Sequence, residues 1–214
     1  MNKKIVIVVW MVVVAVSCLA GKGVKEIPDQ TGGITLKTIK NPDYTITSVF
    51  FSKGKEIAQQ VRDRKEHITK TTGTIPDGPV KEFYESGSLK EVAYYKNNKR
   101  EGTSKWYYEN GILQGERTFK DDILEGIIKW YYTTGSLGTE FNYKNGLLEG
   151  LTKLYWENGN IKAEHNYLNG KREGINKQYY ENGELRFIYT FKNGKSIKRE
   201  EYSKNGKFLK EHTF

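Results

Sequence analysis

The stretch that decides the fold is "KWYYENG", Lys105 to Gly111, because the chain says it again and again. It returns as "KWYYTTG" at Lys129–Gly135, "KLYWENG" at Lys153–Gly159 and "KQYYENG" at Lys177–Gly183, and a looser "KEFYESG" precedes them at Lys81–Gly87. The copies are 24 residues apart, and so are many columns around them. Gly78, Gly102, Gly126, Gly150 and Gly174 keep the step, as do Leu89, Leu113, Leu137, Ile161 and Leu185. Tyr95, Phe119, Tyr143, Tyr167 and Phe191 form an aromatic column, and Glu101, Glu125, Glu149 and Glu173 an acidic one. A fixed period with this many columns in register marks a repeat architecture. A partial further copy, one residue short, runs from Lys198 to Phe214.

Each unit carries two turn signals. One closes the quoted phrase (Ser86-Gly87, Asn110-Gly111, Thr134-Gly135, Asn158-Gly159, Asn182-Gly183). The other follows about ten residues later (Asn97-Asn98, Asp121-Asp122, Asn145-Gly146, Asn169-Gly170, Asn193-Gly194). Asn-Gly suits two-residue type I′ hairpin loops, which need positive φ at both central positions, and Asn or Asp can stand in for Gly there. Each unit is therefore expected to be two antiparallel strands. The whole is an all-β, elongated, single-layer antiparallel meander of 24-residue hairpins. Strand alternation puts Trp106, Tyr108, Leu113 and Phe119 on a packing face. Lys105, Tyr107 and Glu125 fall on a charged face with a stripe of Phe83, Tyr107, Tyr131, Tyr155 and Tyr179. A sheet of this kind is expected to twist strongly and to curl onto its apolar side.

The chain opens with Lys3 and Lys4, then twelve apolar residues from Ile5 to Val16, then Ser17 and Cys18, the single Cys. A charged start, a short apolar run and a small-residue end describe a signal peptide, expected at 1–17. The run is short beside the roughly 20 residues of a spanning helix. Ala15-Val16-Ser17-Cys18 resembles the lipobox of bacterial lipoproteins, which implies lipid attachment at Cys18; the competing readings are an ordinary cleaved signal whose Cys is incidental and an uncleaved anchor. Residues 18–43 then read as a flexible lipid-anchored tether, with Leu19–Gly33 rich in Gly and polar residues. Leu19, in place of the Asp that signals inner-membrane retention, points to an outer membrane in an organism that has one. Residues 44–77 read as a degenerate N-terminal β-cap of three strands, as expected for the end of an array. Residues 78–214 read as five repeats plus the partial sixth.

The phrase "YYENG…L…YKNG…EG" resembles the MORN family, specifically its bacterial variant (MORN_2), strongly over Pro79–Phe214 and weakly over Tyr44–Gly78. Bacterial proteins with this variant are commonly grouped as YwqK-type antitoxin family proteins. The resemblance implies a β-hairpin array with no catalytic site, and roles in scaffolding, partner binding or contact with membrane lipids. The antitoxin grouping implies protection against a toxin.

The residues themselves offer no enzyme. His67, His165 and His212 are far apart, and no HExxH, CxxC or GxSxG occurs. The Glu101–Glu173 column steps by about 10 Å, too wide for a retaining carboxylate pair. It reads as solvated partners of neighbouring lysines. No cofactor and no metal site is expected. Exposed Trp and Tyr rows can stack on sugars or on a partner's apolar anchors, which makes Trp106, Trp130, Trp156, Tyr108, Tyr132 and Tyr180 the candidate partner-binding residues. The competing reading is that they fill the core of a thin sheet. Lys81, Lys105, Lys129, Lys153 and Lys177 are the candidate contacts to anions or lipid head groups, against the reading that they keep the sheet soluble. The formal charge of +9 favours acidic surfaces without naming one. Nucleic acid is not an expected partner of an exported chain whose array is sparse in Arg. The expected function is a non-enzymatic module on the cell envelope that binds a protein or an envelope glycan, held to its own membrane by the lipid anchor. The alternatives are an antitoxin that neutralises a toxin encoded nearby and a module that contacts membrane lipid.

Overall fold

The computed structural model describes residues 32–65 and 67–214, so the expected signal peptide and Cys18 lie outside the described residues. Twenty strands join one sheet, and no helix occurs among the described residues. The N-terminal group is β1 (Ile34–Lys40), β2 (Ile46–Ser52), β3 (Lys55–Arg62) and β4 (Ile68–Gly73). The first repeat follows with β5 (Gly78–Phe83), β6 (Leu89–Lys96) and β7 (Lys99–Arg100). The second is β8 (Gly102–Tyr107), β9 (Leu113–Lys120) and β10 (Ile123–Leu124), and the third is β11 (Gly126–Tyr131), β12 (Leu137–Lys144) and β13 (Leu147–Leu148). The fourth is β14 (Gly150–Tyr155), β15 (Ile161–Leu168) and β16 (Lys171–Arg172). The array closes with β17 (Gly174–Tyr179), β18 (Leu185–Lys192), β19 (Lys195–Tyr202) and β20 (Phe208–Thr213). The two-residue strands open the next unit's first strand, which is interrupted once at Glu101, Glu125, Glu149 and Glu173.

From β5 onward each strand pairs antiparallel with its neighbours in chain order, which is the expected meander. The N-terminal end departs from it. The stretch assigned to the tether as far as residue 43 folds from Ile34, because "ITLKTIK" pairs along all of β1 with β2. On its other side β1 pairs in parallel with β5, through Ile34↔Val80, Thr35↔Lys81 and Leu36↔Glu82. A parallel contact was not part of the expected meander. It arises because β2, β3 and β4 run on as hairpins away from β1, leaving that strand's other edge for the array.

The sheet curls at this junction. Phe50 on β2 meets Tyr95 on β6 edge-to-face, with ring centroids 5.3 Å apart. Ala58, Ile75, Val80 and Ala93 complete a buried cluster, with Ile34, Leu36 and Ile57 packed against it. Beside the cluster lies a buried polar group. Arg62 donates to Ser48 Oγ (3.0 Å) and to Gln60 Oε1 (3.1 Å), and Gln60 Nε2 donates to the carbonyl of Asn98. Burial lowers the Arg62 pKa, and Arg100 adds to the effect. Such a group is costly to bury unless it is hydrogen-bonded, as it is here.

Along the array the most deeply buried column is Val80, Ser104, Ile128, Thr152 and Asn176, each at or below 9% exposure. Two of the five are apolar. The array is thus held together by more than an oily face, and the hydrogen bonds described below carry part of the load.

The two turn types differ. At the Asn145-Gly146 turn both residues have positive φ, 51° and 77°, and the same holds at its four counterparts, as a type I′ loop requires. At the turn that closes the quoted phrase only the glycine does, with Gly111 at 85°. Gly111 N–H donates to the Tyr108 carbonyl and Tyr108 N–H to the Ile112 carbonyl, so Glu109-Asn110-Gly111 form a three-residue loop. The expected two-residue type I′ loop is corrected here, and the reason is legible in the copies. Thr134 occupies the position of Asn110, and a β-branched residue does not sit comfortably at positive φ.

Candidate interaction surface

Three of the six aromatic candidates form a ladder between repeats. The Tyr108 hydroxyl donates to the backbone carbonyl of Tyr131 at 2.7 Å, and Tyr132 donates to that of Tyr155 at 2.7 Å. Tyr84 does the same to Tyr107 at 2.7 Å and Tyr180 to Tyr202 at 3.0 Å. Each phenol thus reaches from the end of one hairpin to the matching strand of the next. Trp156 occupies the same column in the fourth repeat, and its indole Nε1 is buried without a hydrogen-bond partner. Lys162 Nζ lies 4.4 Å from the ring centroid.

Trp106 and Trp130 are half-buried and lie against glycines inside strands. A Cβ at Gly115 would overlap the Trp106 ring, and one at Gly138 would overlap the Trp130 ring. Glycine in a strand interior signals this kind of close approach, so Gly115 and Gly138 were readable as the seats of the two indoles. The Arg117 guanidinium stands 5.0 Å from the Trp106 ring, and Tyr132 meets Trp130 edge-to-face at 4.9 Å. The aromatic candidates are thus packed against their own chain.

The acidic column does something other than pair with lysines. Glu101 Oε2 accepts the N–H of Asp121 at 2.9 Å, Glu125 that of Asn145 at 2.8 Å, Glu149 that of Asn169 at 2.8 Å and Glu173 that of Asn193 at 2.7 Å. Asp77 begins the series on Asn97 at 2.8 Å. Each carboxylate reaches 20 residues ahead to the first residue of the next two-residue turn. Sequence reading paired the column with lysines because charge alone suggested it. The constant offset to a positive-φ residue was the signal for a turn clamp. Repeats are therefore stitched to the next by a carboxylate at one hairpin end and, except at Trp156, by a tyrosine at the other.

The lysine column alternates with carboxylates. Lys105 and Lys129 flank Glu116 at 4.0 and 3.8 Å, and the pairings Lys129↔Glu140 and Lys153↔Glu164 continue the checkerboard. Tyr155 donates to Glu140 at 2.9 Å and Tyr179 to Glu164 at 2.8 Å. Burial and then the carboxylate bond push both phenols up to about 12. The centre of this face is a mixed network of Lys, Glu and Tyr in place of a plain cationic stripe.

His165 is buried and its ring Nδ1 lies 3.5 Å from Arg172. Burial, and then repulsion from Arg172, lower its pKa to about 4. A depression of about 180 Å³ on the other face is lined by Tyr84, Glu91, Trp106 and Arg117, with Arg117 paired to Glu91 at 2.9 Å. Among the described residues no cluster of three or more His, Cys, Asp or Glu could hold a metal ion.

Five stretches of the chain, 76–97, 100–121, 124–145, 148–169 and 172–193, match the family model described as MORN repeat variant, together 110 of the 214 residues. Each stretch ends on a two-residue turn. No curated protein gives a significant match to the chain.

Proposed function

The chain belongs to the MORN repeat variant family, and on that premise we propose that it is a non-enzymatic binding or scaffold module held at the bacterial cell envelope by a lipid on Cys18. The observation that carries this reading is the division of labour among the repeat columns. The recurring Tyr and acidic columns are committed to joining repeats, while the outward column Pro79, Thr103, Ile127, Leu151 and Ile175 changes character from copy to copy. A rigid platform with a varied surface suits recognition of a partner. The lipobox-like Ala15-Val16-Ser17-Cys18 supports the anchor, and several acyl chains on one Cys are enough for stable membrane attachment. The partner class is a protein or an envelope glycan.

Crosslinking in intact cells, combined with fractionation of wild type and Cys18→Ala, tests the proposal. The wild type should take up labelled palmitate and stay with the membrane, and Cys18→Ala should leave it. A Cys18→Ala protein that stays fully in the membrane, with no label on the wild type, contradicts the anchor. Growth that fails on deletion only while a neighbouring gene is intact would replace this reading with the antitoxin one.

A further inference from the structure

Six large aliphatic side chains lie open on the face that alternation assigns to charge. Ile123 is 48% exposed, Ile127 56%, Leu147 49%, Leu151 41%, Leu168 51% and Ile175 47%. They run from the end of the second repeat into the fifth, Ile123 to Ile175. The same columns hold Lys99, Pro79 and Thr103 in the earlier units, so the repeat grammar does not demand aliphatics there. In the sheet they alternate with asparagines, since Ile127 pairs with Asn142 and Leu151 with Asn166. A shallow groove between Ile127 and Leu151 is lined by Asn142, Glu140 and Lys153.

Charge along the turn-side rim of the strip leans basic. Lys120, Lys144 and Lys171 are exposed at its turn-side rim. Of the carboxylates on that rim, Glu125, Glu149 and Glu173 are half-buried and accept turn amides, Asp122 accepts the Arg100 amide, and the exposed Asp121 pairs with Lys99. Resting on the binding reading above, we propose that this strip docks a protein segment that presents aliphatic side chains flanked by Asp or Glu. Complementary charge sets partner and orientation. The polar side chains between the aliphatics, Asn142, Glu140 and Lys153, favour a peptide over a bilayer, because beside a peptide they keep water or gain partners and hydrocarbon offers neither. The side chains are also flush with a sheet and lack the depth of about 5–10 Å that interfacial anchors reach.

The test uses the described array with its natural tether in detergent-free buffer and three probes. These are a synthetic amphipathic peptide with Leu on one face and Glu beside it, the same peptide with every Glu replaced by Lys, and phosphatidylglycerol vesicles. The variants are Ile127→Asp with Leu151→Asp, and Leu209→Asp on β20 as a control, each checked for an unchanged melting curve. The Glu peptide should bind at least about tenfold more tightly than the Lys peptide, and the double variant alone should lose that preference. Equal binding of both peptides overturns the proposal. So does vesicle binding, or self-association in sedimentation, that the double variant abolishes. In intact cells, a crosslinked partner that the double variant still captures overturns the strip and leaves the broader binding reading standing. Absence of any crosslink in wild type counts against that broader reading, while the peptide comparison still decides the strip.

Discussion

The phenol of Tyr132 donates to the carbonyl of Tyr155 at 2.7 Å, and one repeat later Trp156 holds the same place with its indole N–H buried and unbonded. The ladder has one broken rung. A buried hydrogen bond contributes about 1 kcal/mol net, and a buried donor left without a partner costs about 1–3 kcal/mol. Tyr132→Phe should therefore lower unfolding stability by about 1 kcal/mol. Trp156→Tyr, which restores the rung, should raise it by about as much after the lost ring area is counted. Chemical denaturation of both variants checks the pair. A Trp156→Tyr protein less stable than wild type would show that the indole fits its site better than the column suggests.

The acidic stitches predict an asymmetry between neighbouring charges. Glu149→Ala removes the acceptor of the Asn169 amide and should cost about 1.5–3 kcal/mol, as for a hydrogen bond to a charged group. Glu149→Gln keeps an acceptor and should cost less. Lys153→Ala, on the open face nearby, should stay within about 0.5 kcal/mol of wild type. Urea midpoints at constant m-value measure all three.

The buried column holds two hydroxyls without partners, Ser104 Oγ and Thr152 Oγ1. Val80 and Ile128 fill the equivalent places. Thr152→Val conserves shape and removes an unpaired polar group, so it should raise stability by about 1 kcal/mol. Thermal unfolding reads the gain, and a fall in melting temperature would mean that the hydroxyl has a partner in solution.

His165 predicts the pH response. Its folded pKa lies at about 4, below the ordinary 6.5, first through burial and then through Arg172. Between those values the unfolded chain binds the proton and the folded one does not, so stability falls as pH drops across that window. Stability from this group is complete above the unfolded value and lost on approach to the folded one. The facing groups are Thr152 across the strand pair, Arg172, and Tyr167 at 6.5 Å between ring centroids. His165→Gln should flatten the slope of stability against pH between about pH 6.5 and pH 4, relative to wild type.

The period of 24 residues and the alternation within each strand were enough to place the hairpins and the two faces, but not the register shift beside each three-residue loop. The three strands of the cap were legible too, because "YTITSVFFSKG" and "KEIAQQVRD" keep β-branched residues and turn signals where β2 and β3 lie. What the sequence hid were relations between units. The parallel contact of β1 with β5 has no local signal, since it joins Ile34 to Val80 across three other strands. The role of Glu149 was hidden because a carboxylate beside lysines looks like an ion pair until its distance to Asn169 is known. Tyr108 looked available to a partner because its hydroxyl acceptor, the carbonyl of Tyr131, is a backbone atom that no sequence pattern marks. Thr134 did carry a usable hint about its turn, as did Gly115 and Gly138 about the indoles, through residue types that fit only one local geometry.

The most direct measurement of the stitched array is residue-resolved amide hydrogen exchange on the full described chain. The account predicts slow exchange at the turn amides of Asn97, Asp121, Asn145, Asn169 and Asn193, although these residues sit at exposed hairpin tips. Glu149→Ala should release Asn169 while the other four stay protected. If all five exchange as fast as the amide of Asn110 at the opposite hairpin end, or if Glu149→Ala leaves Asn169 unchanged, the repeats are not joined in the way described.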